Sequence, residues 1–166
     1  GMGVYTYTDW KGGVLLSTIS VETGYTESEQ ANLLQRMYLS YLSAGVEKIF
    51  WYDLHNDGVM IGEREHNFGL LNHNFTPKKA YYAYMHMTKM LGEKPHFVEK
   101  LEGKDASVWA LVFQKEENKE KVLACWSIDD QAKLEISSDN QAKVTLNLTA
   151  QEVQFYVLPT DYKIKF

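Results

Sequence analysis

Apolar runs and helix-period segments alternate through the first half of the chain, and after Gly92 to Pro95 only short strand-like runs separated by polar turns remain. Val14-Leu15-Leu16-Ser17-Thr18-Ile19-Ser20-Val21 is β-branched and mostly apolar, the pattern of a strand covered on both faces. Val4 to Thr8 predicts a second, weaker strand. Thr26-Glu27-Ser28-Glu29 then reads as a capping box, with the threonine oxygen taking an orphan amide and Glu29 reaching back to the cap residue. Behind it Ala31, Leu34, Tyr38, Tyr41 and Leu42 recur at helical spacing, and Gly45 supplies a left-handed stop. Glu47 to Leu54 predicts the next strand. After a long loop, Thr76 as cap and Pro77 in the first turn start a helix that carries Ala80, Tyr84, Met87 and Leu91 and ends at Gly92. The order is strand, helix, strand, helix.

The remainder is all-β by pattern. Val108 to Phe113 and Lys121 to Trp126 flank a charged turn and predict a hairpin, and further strand runs follow at Lys133 to Ser137, Lys143 to Leu148, Glu152 to Leu158 and Tyr162 to Phe166. The fold class is thus α/β plus all-β: two βα units over 1–94, then a small antiparallel β-sandwich over 95–166. Trp109 and Trp126 lie among apolar neighbours and are expected in its core.

Composition narrows the function. The chain has 166 residues, 45% hydrophobic and 13% aromatic, enough for packed cores. A net charge of −5 and no Lys/Arg-rich block argue against nucleic acid and against acidic glycans. Cys125 is the single cysteine, so no disulfide forms within the chain, and its apolar run predicts a buried, inert thiol. No signal peptide or membrane-length apolar span is visible, Gly1 before Met2 reads as a tag scar, and the compartment stays open. Neither the Asn56-Asp57-Gly58 turn nor His55, His66 and His73 has the spacing of a calcium loop or a zinc site, so no metal and no cofactor are expected.

Candidate chemistry concentrates where βα units place ligands, at the carboxyl ends of the strands. These are the residues after Val21 and the run Phe50-Trp51-Tyr52-Asp53-Leu54-His55-Asn56. Trp51 and Tyr52 alternate faces, so one points inward and the other toward the helices; Asp53, His55, Asn56 and Asp57 offer hydrogen-bonding groups, and Asn56-Asp57-Gly58 reads more readily as a plain turn.

Glu29-Gln30-Ala31, Phe50 to Leu54, Asn67-Phe68-Gly69-Leu70-Leu71 and Pro77 to Tyr81 together resemble the seventh and eighth βα units of retaining TIM-barrel glycosidases, near glycoside hydrolase family 39 and its cellulase-like relatives. The resemblance implies a partial TIM barrel followed by a packing β-sandwich, a carbohydrate partner, and a sugar-stacking role for Trp51. It implies a nucleophile at Glu22 if Val21-Glu22-Thr23-Gly24 matches the family's Thr-Glu-Xaa-Gly segment; in the alternative register Thr18 takes that place and supplies no ester. A retaining mechanism needs a second carboxyl about 5 to 5.5 Å away. The resembling enzymes take it from an Asn-Glu pair that this sequence lacks, so little activity is expected of the chain alone. Two βα units do not close a barrel, and open strand edges predict a homo-oligomer.

Overall fold

Thr26 starts the first helix. Its Oγ accepts the Glu29 amide at 3.2 Å, while the Glu29 carboxylate accepts the Thr26 N–H at 2.7 Å and its hydroxyl at 2.8 Å. This is the reciprocal box read from the sequence. A computed structural model describes residues 24–103, 106–129 and 131–166. The strands expected at Val4 to Thr8 and Val14 to Val21, together with Thr18 and Glu22, lie outside the described residues.

Helix α1 spans Glu27–Ser43. Its buried stripe is Ala31, Leu34, Tyr38 and Leu39, joined by Gln30 and Gln35. Tyr41 and Leu42 are only half-buried, so the inward face is turned slightly from the one the apolar spacing suggests. At its end Val46 N–H reaches back to Tyr41 O at 3.0 Å and Gly45 takes φ 84°, the left-handed stop that lets the last carbonyls be satisfied. A short 3-10 helix follows at Arg64–Asn67, and helix α2 spans Lys79–Leu91. Ala80, Met87 and Leu91 are buried along α2, which ends at Gly92 with φ 79°.

Two expectations for this region change. Thr76 does not cap α2: its hydroxyl donates to Asn74 Oδ1 at 2.7 Å within a turn, Pro77 forms a bridge with Leu71, and the helix begins two residues later. The α2 N-terminus is instead served by the first turn of α1, where Glu27 Oε2 accepts the Lys79 N–H at 3.1 Å. Glu47 to Leu54 forms no continuous ladder among the described residues; it carries single bridging positions at Trp51 and His55, the latter with Leu71. Exposure along it still alternates with a period of two: Ile49, Trp51, Asp53 and His55 are half-buried, and Phe50, Tyr52 and Leu54 are exposed.

Among the described residues, seven strands form two antiparallel sheets: β1 His96–Leu101, β2 Val108–Gln114, β3 Lys121–Ser127, β4 Ala132–Ser137, β5 Val144–Leu148, β6 Gln154–Leu158 and β7 Lys163–Lys165. The orders are β1-β2-β3-β6 and β5-β4-β7. Val108, Ala110, Val112, Leu123, Cys125 and Leu158 from the first sheet meet Leu134, Ile136 and Leu148 from the second, which makes a sandwich core. The hairpin pairs as expected, Trp109 opposite Trp126 and Phe113 opposite Val122. Trp126 is buried and stacks on the half-buried Trp109 with centroids 5.4 Å apart, and Lys100 Nζ lies 4.3 Å above the Trp109 ring. Cys125 is fully buried, and burial pushes its thiol up to about 12, which leaves it unreactive. The fold is a mixed α/β segment followed by an all-β antiparallel sandwich.

Contacts divide the chain into two compact units. One contains 24–34 and Lys48–Met85; the other contains Gln35–Glu47 and His86–Phe166. In the second, His86 of α2 sits edge-on to Phe155 of β6 at 5.4 Å, a helical contact on the sheet. No helix among the described residues is long and apolar enough to cross a membrane.

Candidate functional site

The half-extended run 51–56 is locked to the segment 67–71. Leu70 N–H donates to Asp53 O at 3.2 Å, Leu71 N–H to Leu54 O at 2.9 Å, and Asn56 N–H to Leu71 O at 2.9 Å. Gly69 lies beneath this run, and a Cβ there would collide with the backbone of His55 and Asn56. Glycine is needed here for space, since its φ is not in the left-handed region.

The residues singled out on the run 51–56 each have a definite place. Trp51 is half-buried and its indole N–H donates to Phe68 O at 3.1 Å. Tyr52 is exposed, meets Phe68 edge-on at 5.9 Å, and its hydroxyl donates to Asp57 Oδ2 at 3.2 Å; the Tyr52–Asp53 peptide is cis. His55 packs against Phe75 at 4.8 Å with Nδ1 2.9 Å from Asn56 O, and His73 Nδ1 approaches the same carbonyl at 3.1 Å. A carbonyl only accepts, so both rings carry their proton on Nδ1. Asn56 is buried and its Oδ1 accepts the Gly69 amide at 3.0 Å, which makes it a brace between the two segments.

Asp53 is the electrostatic centre. It is half-buried, and its Oδ1 is buried without a hydrogen-bond partner among the described residues. Burial raises its carboxyl above the usual range, and the charge of Asp57 and a hydrogen bond between the two carboxyl groups act in the same direction; His55 and Lys78 pull it back down. The Asp57 charge likewise raises the Tyr52 phenol, which keeps it a donor.

Sequence reasoning missed Lys78 and Asn67. Lys78 is 1% exposed, one of the largest fully buried side chains among the described residues, and its Nζ donates to Asn67 O at 3.1 Å. Burial pushes its ammonium down to about 8 against the opposing pull of Glu27 and Asp53. Asn67 Nδ2 donates to Met60 O, Ile61 O and Glu63 O at 3.0, 3.1 and 2.7 Å, which gathers the loop that follows the site. Only the dipeptide Pro77-Lys78 hinted at this, and nothing in its spacing marks the lysine as internal. Glu63 and Glu65 are exposed in the same loop, and no three His, Cys, Asp or Glu side chains among the described residues gather as a metal site would require.

No protein-family model and no curated protein matches the chain. Among solved structures it is similar to a family 39 glycoside hydrolase from the gut symbiont Bacteroides cellulosilyticus WH2, with 27% identity, a TM-score of 0.65, and coverage of 82% of this chain and 31% of that one. The chain therefore spans less than a third of that protein's length.

Proposed function

We propose that the chain is the C-terminal portion of a retaining O-glycosyl hydrolase of the family 39 type, a partial TIM barrel over 1–94 joined to a β-sandwich over 95–166, and that it contacts carbohydrate through Trp51, Tyr52, Asp53 and His55. The observation that carries this reading is the 27% identity sustained over 82% of the chain with a family 39 glycoside hydrolase. Local chemistry supports it. An exposed phenol, a half-buried carboxyl and an indole on one run match the needs of sugar recognition, where hydroxyls take hydrogen bonds and ring faces take aromatic surface. Asn56 acts from beneath, by bracing the run against Gly69.

Glu22 is the proposed nucleophile. With no Asn-Glu pair to supply the acid, the chain on its own binds sugar and does not turn it over. Exposed Phe50, Leu54, Val59, Met60 and Ile61 favour self-association as part of the same reading.

Titration of the full chain with neutral 4-nitrophenyl β-D-glycosides, read by NMR and by release of 4-nitrophenolate, tests this. The expected result is saturable perturbation of the Trp51 indole and the 52–55 amides without turnover, weakened by roughly tenfold in Tyr52→Ala and Asp53→Asn. Absence of saturable perturbation overturns the carbohydrate reading. Robust turnover that disappears in Glu22→Gln overturns the inactivity and establishes the nucleophile.

A further inference from the structure

Loop 72–76 is closed by hydrogen bonds of its own. Asn72 N–H donates to Thr76 O and Phe75 N–H to Asn72 O, both at 2.8 Å, and Asn74 Oδ1 accepts the Thr76 amide at 3.1 Å and its hydroxyl at 2.7 Å. The bridges Leu71–Pro77 and His55–Leu71 fasten this turn to the end of the run 51–56. Within it Phe75 has φ 64°, in the left-handed region that a bulky side chain rarely enters and that glycine or asparagine adopts with less strain. Its ring gains little burial in return: it is 61% exposed, and among the described residues its ring contact is with His55, 4.8 Å away. Neither the turn nor a core accounts for a phenylalanine at this position. Beside it two imidazoles converge on one carbonyl. His55 Nδ1 and His73 Nδ1 donate to Asn56 O at 2.9 and 3.1 Å, so in the neutral rings both Nε2 atoms are acceptors, and neither is taken by a donor among the described residues. His73 is exposed and His55 half-buried.

We propose that Phe75, His55 and His73 form a sugar subsite at the end of the run: the apolar C–H face of a neutral pyranose ring lies on the Phe75 ring, and its hydroxyls donate to Nε2 of the two histidines. This rests on the carbohydrate reading above and deepens it by adding Phe75 and His73, which are not on the run, to the sugar contacts. Asn56 serves the subsite from behind, its carbonyl fixing both tautomers while its side chain is braced on the Gly69 amide. A phenyl ring alone would suit any apolar group, whereas the two acceptors beside it select a ring that carries hydroxyls at its edge.

The probes are methyl β-D-glucopyranoside and methyl β-D-xylopyranoside, which carry no aryl group of their own, titrated into the full chain and followed by NMR. In the wild type the Phe75 ring protons and the His55 and His73 Hε1 signals are expected to shift saturably together with the 52–55 amides. Phe75→Gly should weaken binding by roughly fivefold or more while the urea midpoint stays level or rises, because glycine relieves the left-handed backbone. His73→Ala should weaken binding by roughly the same factor. A purely structural phenylalanine gives the opposite pattern, a lowered midpoint with unchanged affinity, and that result overturns the proposal. Saturable movement of the 52–55 amides with the Phe75 ring and both imidazoles silent also overturns it, and leaves the carbohydrate reading standing. Absence of any saturable shift overturns both. The wild-type signals decide the matter even where a variant does not fold.

Discussion

Gly69 and Lys78 show how single residues set the candidate site. Gly69→Ala puts a methyl group into the backbone of His55 and Asn56, which cannot yield as a flexible side chain would. The substitution should destabilise the chain by about 2 to 3 kcal/mol, read as a lowered midpoint in urea unfolding with little change in slope. Lys78 leaves a signature in pH. Its folded pKa, about 8, lies below the 10.5 of a free lysine, so between these values the unfolded state holds the extra proton and stability from this group rises with pH. Cys125 works the other way: the fold holds its thiol protonated while the unfolded chain ionises it, so its contribution to stability falls as pH climbs above 9.0. The difference between wild type and Lys78→Met isolates the lysine: the wild-type stability should gain on the variant from about pH 8 upward, and a constant difference across that window would contradict the assignment. Neither residue was legible in the sequence. Glycine was visible only as part of Asn67-Phe68-Gly69, and the burial of a lysine depends on partners that are main-chain carbonyls, which no side-chain pattern encodes.

Elements were easier to read where the signal was local. The capping box of α1, the Gly45 and Gly92 stops, and the β2–β3 hairpin are each specified by residues a few positions apart, and each is present. Thr26→Ala should cost about 1 kcal/mol in a thermal or urea melt, since it strips the Glu29 amide of its acceptor and the Glu29 carboxylate of one of its two donors, leaving the Thr26 N–H. The two hydrogen bonds from Thr26 also hold the Glu29 carboxyl below its usual value, so the contribution is present above the free-glutamate range and fades as pH falls through the lowered value. The cost of Thr26→Ala should therefore shrink in acid. The start of α2 was misread because its cap is tertiary: Glu27 comes from the other helix, while Thr76 is spent on Asn74. Strand β1 was not foreseen as a separate run, because His96–Leu101 is an edge strand with mostly exposed positions and no apolar alternation strong enough to stand out.

For the molecule as a whole, the decisive pattern is the period-two exposure of 49–55. A strand inside a closed α/β barrel would bury both faces, yet Phe50 is 81% and Leu54 61% exposed on the face opposite Trp51 and Asp53. Val59, Met60 and Ile61 add apolar side chains at 77%, 62% and 45% exposure in the same unit. Side chains of this kind gain about 1.5 to 3 kcal/mol each when fully buried, so covering even a few of them favours association over a free monomer. The occupant expected for the chain in isolation is a second copy, since a pure sample holds no other chain to cover these side chains. Light scattering across a concentration series should give a mass that rises above that of one chain, and Phe50→Lys with Leu54→Lys should return it to the monomer while leaving the β2–β3 amides protected. A wild-type chain that stays monomeric at every concentration would mean that these side chains tolerate water, and the self-association part of the functional reading would fall. If the double variant stays as associated as the wild type, the contact lies elsewhere on the chain and the alternating run plays no part in it.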